Sequence, residues 1–333
     1  MNHKMKILHI CAGWQKWNGA ANIARMIMDE QRREGHEVSS ATWAKVRELR
    51  AADEVWIHCG WLPCLWWAAL WGRNVRWMPE ACYDPVRLKY HGWKKWLVGP
   101  IERWCLRRCD RIVATCEAEK GWIRAYEPRV KSIEVTDIKR FFNLNPVNPV
   151  NPVKKDFHLL YLGRRHPLKG LSNLETALAT YYNKWSSAPS SLAPTTACAD
   201  NPSSNPSRKA ATYYNKCPIE FRVVSDAFGD ELERVWDWCD VLVLPTLSDN
   251  FGLVIAEALE RGKCVITTDG APAWGENLSR VERVDGGMWS GYGGRLIYLK
   301  GYRDGTPEDR VRLLKSAIEN LLSRASLTPP AAK

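Results

Sequence analysis

Residues 240–268 read DVLVLPTLSDNFGLVIAEALERGKCVITT. DVLVLP (240–245) is a short, continuous apolar run of the kind that forms a buried strand, closed by Pro245. A polar loop follows, and FGLVIAEALERG predicts a helix that begins near Phe251 and is ended by Gly262. CVITT (264–268) restarts an apolar run as the next strand. Strand, loop, helix and strand in this order form a parallel α/β unit.

The same alternation extends outward. Within the second half, FHLLYLG (157–163), IEFRVVS (219–225) and the two strands above alternate with helices over LSNLETALATYY (171–182) and ELERVWDW (231–238). A last amphipathic helix, PEDRVRLLKSAIENLL, is apolar at Val311, Leu314, Ile318, Leu321 and Leu322. The first half opens with the strand MKILHI and a loop holding Asn18 and Gly19, and a helix then runs to about Arg33. Further strands are expected at EVWIH (54–58), NVRWM (74–78) and DRIVAT (110–115), with a long basic helix over Lys94–Arg108. Asn145–Val153 repeats Asn-Pro-Val three times, and proline at every third residue makes a semi-rigid linker. The expected organisation is α/β, with two doubly wound, Rossmann-like domains: residues 1–144, the linker 145–153, and residues 154–306. The terminal helix, 307–325, is free to return to the first domain. ATYYNK occurs at 179–184 and again at 211–216, so about 185–216 reads as a duplicated, low-complexity insertion.

The formal charge of +11 is uneven: residues 1–144 carry 25 Lys and Arg against 16 Asp and Glu. Thirteen of the 18 tryptophans precede residue 150. A basic, Trp-rich half suits an anionic acceptor or membrane surface, and the plainer reading is a solvated basic face over an aromatic core. VWIHCGWLPCLWWAALWG (55–72) lacks formal charge, but His58, Gly60 and Pro63 interrupt it. A strand, a turn and a Trp-rich helix explain it better than a membrane span. The 11 cysteines show no zinc-type spacing or disulfide framework, which suits reduced thiols in the cytoplasm.

Three places carry candidate chemistry. Beyond the strand end at Pro245, the expected helix start offers the N–H groups of Asn250, Phe251 and Gly252 to an anionic or hydroxyl-rich ligand. Asp249 precedes them, and Glu257 is a lone charge in an apolar helical run, costly unless it finds partners. After FHLLYLG come Arg164 and Lys169, two cations at a strand end, suited to a diphosphate. The third place is the Gly19 loop after the first strand.

Together these residues resemble retaining glycosyltransferases of family 4, which have the two-domain GT-B fold with two Rossmann-like domains facing a cleft. The family signature is two acids eight apart around Phe-Gly and Glu-Ala, met here by Asp249-Asn250-Phe251-Gly252 and Glu257-Ala258. Its Gly-Arg-x4-Lys-Gly motif is met by Gly163, Arg164, Lys169 and Gly170. MPEACYDP and DRIVATCEAE are similar to a subset in which the first motif begins Pro-His-Gly, and Glu80 stands here in place of that His. Asp249 replaces the usual Glu.

The resemblance implies that Arg164 and Lys169 hold the donor diphosphate and stabilise the leaving nucleotide, and that Glu257 binds the ribose. It places Asp249 and the backbone of Asn250, Phe251 and Gly252 on the donor sugar, and Gly19 near the phosphates. Glu80 is a candidate catalytic residue near the reacting carbon. The implied reaction moves a hexose, with retention and without metal or other cofactor, from a UDP- or GDP-sugar to a glycolipid or polysaccharide acceptor. APAWGE and the Gly- and Trp-rich stretch 286–294 are similar to glycosyltransferases of bacterial cell-envelope polysaccharide and lipopolysaccharide biosynthesis. The expected location is cytoplasmic, peripheral on the anionic inner face of the cytoplasmic membrane, with no nucleic acid as partner. A nucleotide-sugar epimerase on the same fold, or a non-catalytic homologue that binds sugar nucleotides, is the alternative.

Overall fold

The computed structural model describes residues 4–14, 19–60, 63–144, 157–185, 219–276, 278, 283–284, 288–292 and 295–324. The Asn-Pro-Val linker and nearly all of the insertion lie outside the described residues. The chain forms two compact units. One comprises residues 1–143 with 248–253 and 271–279, and the other residues 144–247, 254–270 and 280–333. A single cut at the linker therefore does not separate them, because two short segments of the second half pack with the first.

The first unit is built on six parallel strands: β1 Lys6–Cys11, β2 Glu37–Ala41, β3 Glu54–His58, β4 Val75–Met78, β5 Arg111–Ala114 and β6 Ile133–Val135. Their order is β2-β1-β3-β4-β5-β6, so the chain reverses direction across the sheet between β1 and β3. The helices are α1 Gly19–Arg33, α2 Val46–Ala51, α3 Pro63–Trp71, α4 Pro85–Tyr90, α5 Gly92–Arg108 and α6 Glu117–Tyr126. β3 and β4 coincide with the expected strands to within a residue. β6 has only three residues, too few to show a periodicity, and the sequence gives no sign of it. Helices cover both faces of the sheet, so successive strand residues are buried regardless of side, as in Val55, Trp56 and Ile57. Each fully buried side chain of this kind contributes about 1.5–3 kcal/mol of transfer free energy.

The uncharged stretch 55–72 divides as expected into β3 and α3. α3 has nine residues, about 14 Å of helix, and it buries Leu65, Ala68 and Ala69 against the core. No described helix is long and apolar enough to cross a membrane.

α5 is inverted relative to an ordinary surface helix. Its buried residues include Lys95, Gly99, Glu102, Cys105 and Leu106. Trp93, Trp96, Leu97, Ile101 and Trp104, spaced three and four apart, are exposed, Trp96 to 80%. The inward charges are matched: Lys95 Nζ lies 2.5 Å from Glu102 Oε2, and the Tyr126 hydroxyl donates to the same oxygen at 3.0 Å. Lys95 also sits over the Tyr83 and Tyr126 rings, at 4.6 and 5.1 Å from their centres.

The second unit holds β7 Phe157–Leu162, β8 Ile219–Val224, β9 Val241–Leu244, β10 Cys264–Thr268, β11 Arg283–Val284, β12 Met288–Gly291 and β13 Leu296–Leu299. β8, β7, β9, β10 and β13 run parallel in that order, and β12 and β11 continue the sheet antiparallel beyond β13. Part of the Gly- and Trp-rich stretch thus becomes β12, a pairing that alternation of strands and helices does not reveal. The helices are α7 Leu171–Trp185, α8 Asp230–Trp238, α9 Leu253–Glu260 and α10 Pro307–Arg324. α10 does not return to the first domain: Leu314, Ala317, Ile318, Leu321 and Leu322 join the core of the second unit.

Removing one partner of the buried pair should strand the other. Glu102→Ala should cost about 3–5 kcal/mol in urea unfolding, and Lys95→Met combined with Glu102→Leu should recover most of that loss.

Candidate active site

In a doubly wound sheet, ligands bind beyond the carboxyl ends of the strands, where the strand order reverses. The second unit reverses between β7 and β9. Gly163, Arg164 and Lys169 follow β7 in sequence, and Pro245 follows β9. Pro167–Lys169 forms a single 3-10 turn whose cap is His166, with Nδ1 accepting from the Leu168 N–H at 3.2 Å. The turn is fastened to the end of β9, since the Leu168 carbonyl accepts from Leu247 N–H (2.8 Å) and from the Thr246 hydroxyl (3.1 Å).

Gly170 is required twice over. Its φ is +67°, and a Cβ there would lie 1.9 Å from the Pro245 carbonyl oxygen. Gly270 is held in the same way, with a Cβ position 2.1 Å from the Thr246 carbonyl oxygen. Arg164 is exposed and Lys169 half-buried. Glu257, on α9, is also half-buried, and burial pushes its carboxyl above the usual range while Arg261 opposes that rise. Arg261 itself is engaged by Glu233 at 2.8 Å.

The segment 248–253 belongs to the first unit and is anchored there at several points. Ser248 Oγ donates to Asp84 Oδ2 and accepts from Arg87 Nε at 3.0 Å. Asp84 in turn caps α4 through the Val86 N–H (2.9 Å). Asn250 Oδ1 is 2.8 Å from the Thr115 hydroxyl, which also lies 2.7 Å from Glu119 Oε2. Thr115 has one proton to give, so an Asn250 amide turned to donate to it satisfies both contacts. Phe251 is buried between Phe142 and Trp274, and the Trp274 indole donates to the Phe251 carbonyl at 2.5 Å.

These contacts correct three expectations. The helix starts at Leu253 rather than near Phe251, because Gly252 sits at φ +66° and breaks the turn. The Asn250 N–H is not open to a ligand: Asp249 Oδ1 accepts from it at 2.8 Å. Gly19 lies in no loop, being the first residue of α1, where its Cβ position would be 3.9 Å from Leu253. The Phe251 side chain packs in the core, so only its backbone is available to a ligand.

Glu80 follows β4 in a tight turn, with φ +56° at Glu80 and +59° at Ala81. It is buried. The Ala81 N–H donates to Glu119 Oε1 (2.5 Å), and the Thr115 N–H to Glu119 Oε2 (2.8 Å). Arg87 Nη1 reaches the Glu80 carbonyl at 3.5 Å. Burial raises the carboxyls of both Glu80 and Glu119, and for Glu80 the nearby Glu119 adds to the rise. The first unit therefore brings together Glu80, Gly19 and Asp249–Gly252, and the second contains Arg164, Lys169 and Glu257.

Asp84, Arg87, Thr115, Glu119 and Ser248 were not singled out in the sequence, although most of them lie within the motifs quoted there. The polar residues His9 and His58 in otherwise apolar strand runs are a signal that a strand-by-strand reading can use. Among the described residues, no group of three or more His, Cys, Asp or Glu side chains is placed to hold a metal ion.

Two family models match the chain: a glycosyl transferase 4-like domain over residues 40–136 and glycosyl transferases group 1 over residues 156–285. Solved structures are similar over almost the whole length. Anabaena Alr3699/HepE, in complex with UDP-glucose, has a TM-score of 0.55 at 15% identity, covering 97% of this chain and 92% of that one. Sucrose-phosphate synthase from Thermosynechococcus elongatus has a TM-score of 0.61 at 13% identity, covering 98% and 91%. WaaG, a glycosyltransferase involved in lipopolysaccharide biosynthesis, has a TM-score of 0.55 at 11% identity, covering 96% and 93%. At these identities the likeness is one of fold. No curated protein matches the chain.

The backbone contact at Gly170 gives a direct test. Gly170→Ala should lower stability by about 2–4 kcal/mol, from the left-handed φ and the collision with Pro245 together, as read by denaturant unfolding.

Proposed function

We propose that this chain, a family-4-like glycosyltransferase of the GT-B fold, transfers a hexose from a UDP- or GDP-sugar to a lipid-linked, lipopolysaccharide or polysaccharide acceptor. The anomeric configuration is retained and no metal takes part. The observation that carries the reading is the turn Gly163–Gly170, locked by Gly170 onto the end of the strand that leads to Glu257. Alr3699/HepE, of the same fold, is seen with UDP-glucose, which supports a nucleotide sugar as donor here.

Arg164 and Lys169 bind the diphosphate and take up the charge that develops on the departing nucleotide. A preformed turn lets these cations act without reorganising as the bond breaks. Glu257 accepts from the ribose hydroxyls, which replace the water that burial removes from its carboxylate. Asp249 and the backbone at Phe251 and Gly252 bind the sugar, and the backbone at Gly19, the first residue of α1, meets the phosphates.

The acceptor side of the proposal rests on α5. Its outward stripe Trp93, Trp96, Leu97, Ile101 and Trp104, interleaved with Lys94, Arg103 and Arg108, has the composition of a helix lying in an anionic membrane interface. A peripheral position on the inner face of the cytoplasmic membrane brings a lipid-linked acceptor to the first unit. WaaG, involved in lipopolysaccharide biosynthesis, shares the fold and supports an envelope acceptor.

The decisive experiment is a panel of UDP- and GDP-sugars, scored by thermal shift and by nucleotide release with candidate acceptors in the presence of EDTA. Stabilisation by one donor and metal-free release are expected, and a panel in which no nucleotide sugar stabilises the protein rejects the reading. Lys169→Ala should abolish transfer and leave the melting temperature close to the parent, whereas retained transfer would remove Lys169 from the diphosphate. Trp93→Ser with Trp96→Ser should release the protein from vesicles containing anionic lipid in sedimentation, and unchanged binding would clear α5 of that role.

A further inference from the structure

His9 and His58 stand on β1 and β3, the two strands between which the first sheet reverses, and both side chains are fully buried. Their rings stack, with centres 5.2 Å apart. His9 Nε2 lies 2.8 Å from Gln31 Oε1, and His9 Nδ1 lies 2.9 Å from His58 Nε2. The chain of donors can be followed from one end. With the Gln31 amide turned so that its oxygen meets His9, that oxygen accepts, and His9 carries its proton on Nε2 and presents a bare Nδ1. His58 must then donate from Nε2, which leaves its own Nδ1 bare as well.

That nitrogen is sealed from solvent without a hydrogen-bond partner, and so is Glu80 Oε1. The two atoms lie 3.4 Å apart. Two buried acceptors at this separation are satisfied together by one proton between them and by none otherwise. His58 has already used its single proton, so that proton belongs to Glu80.

We propose that His58, aligned by His9 and Gln31, is a positioning residue that fixes an acid proton on Glu80 Oε1, so that Glu80 meets the donor sugar as an uncharged hydrogen-bonding group. The placement of Glu80 beside the donor rests on the function proposed above, whereas the relay does not. An uncharged acid accepts from a sugar hydroxyl through its other oxygen. It neither repels the donor diphosphate nor acts as a carboxylate nucleophile at the anomeric carbon.

The surroundings agree from every side. Burial drives both imidazoles down, His58 to about 3, so neither carries a second proton. Burial drives Glu80 up, and Glu119 on α6 pushes it the same way. Arg87 on α4 opposes this, with its guanidinium also on Ser248 and the Glu80 carbonyl. Burial pushes the Cys11 thiol on β1 up to about 11, so it adds no charge near neutrality.

The sign of the pH dependence follows. As pH rises the Glu80 proton leaves, the bare His58 Nδ1 can no longer face a carboxylate, and the relay must reverse so that His58 carries its proton on Nδ1. Nitrogen-15 NMR of histidine-labelled protein reads this directly. At neutral pH both His9 and His58 should be Nε2–H tautomers, and both should convert to Nδ1–H at alkaline pH, with the Gln31 amide turning its NH2 toward His9. In Glu80→Gln the amide donates in place of the acid, and His58 should stay Nε2–H throughout.

The kcat of the parent should fall along an alkaline limb that tracks the tautomer change. Glu80→Gln should lower kcat but lose that limb. An Nδ1–H tautomer of His58 at neutral pH would overturn the proposal, as would an alkaline limb that survives in Glu80→Gln. The tautomers are read in the free protein, so they decide the relay whether or not any nucleotide sugar binds.

Discussion

The proposed site depends on a contact between backbones that leaves no room for a side chain. At Gly170 the loop after β7 lies against the carbonyl of Pro245, and at Gly270 the loop after β10 lies against that of Thr246. Both contacts converge on the residues that leave β9, and the Thr246 and Leu247 bonds to Leu168 tie the same place from the side. A parallel sheet alone delivers its loops to one edge, but it does not fix their spacing. These glycines do, by converting three loops of the second unit into one rigid platform, which makes Lys169 a group held by the fold rather than by its own flexible stem.

The first unit solves a different problem. Its sheet edge gathers Glu80, Asp84 and Glu119, three carboxyls buried within a few residues of one another in the fold. Left ionised and unpaired they would repel and unfold the edge. Each has its own resolution. Asp84 receives Ser248 and a helix N-terminus, Glu119 receives three donors from Thr115 and Ala81, and Glu80 faces the histidine relay. Segment 248–253 brings Ser248 and Asn250 into this network, which explains why it packs with the first unit although it follows a strand of the second.

Most of the strands and helices were legible because a buried parallel strand needs a mainly apolar run, and β3, β7 and β10 show one, with a polar residue only here and there. The short β6 and the antiparallel pair β11 and β12 were not, since two to four residues carry no period. The motif residues Arg164, Lys169 and Glu257 could be picked out as charges at strand ends and on an apolar helix. The start of α9 could not be placed correctly, because φ +66° at Gly252 is a backbone fact that a list of residues conceals. Nor could the tie between Asn250 and Thr115, 135 residues apart.

The inversion of α5 has a consequence for how this protein can change. In an ordinary surface helix the large apolar residues hold the fold, so altering them risks the core. Here the fold is held by Lys95, Glu102, Cys105 and Leu106, and the tryptophans point away from it. The outward stripe can therefore be rewritten residue by residue at little cost in stability. The outward face of α5 is thus decoupled from the packing that holds the fold.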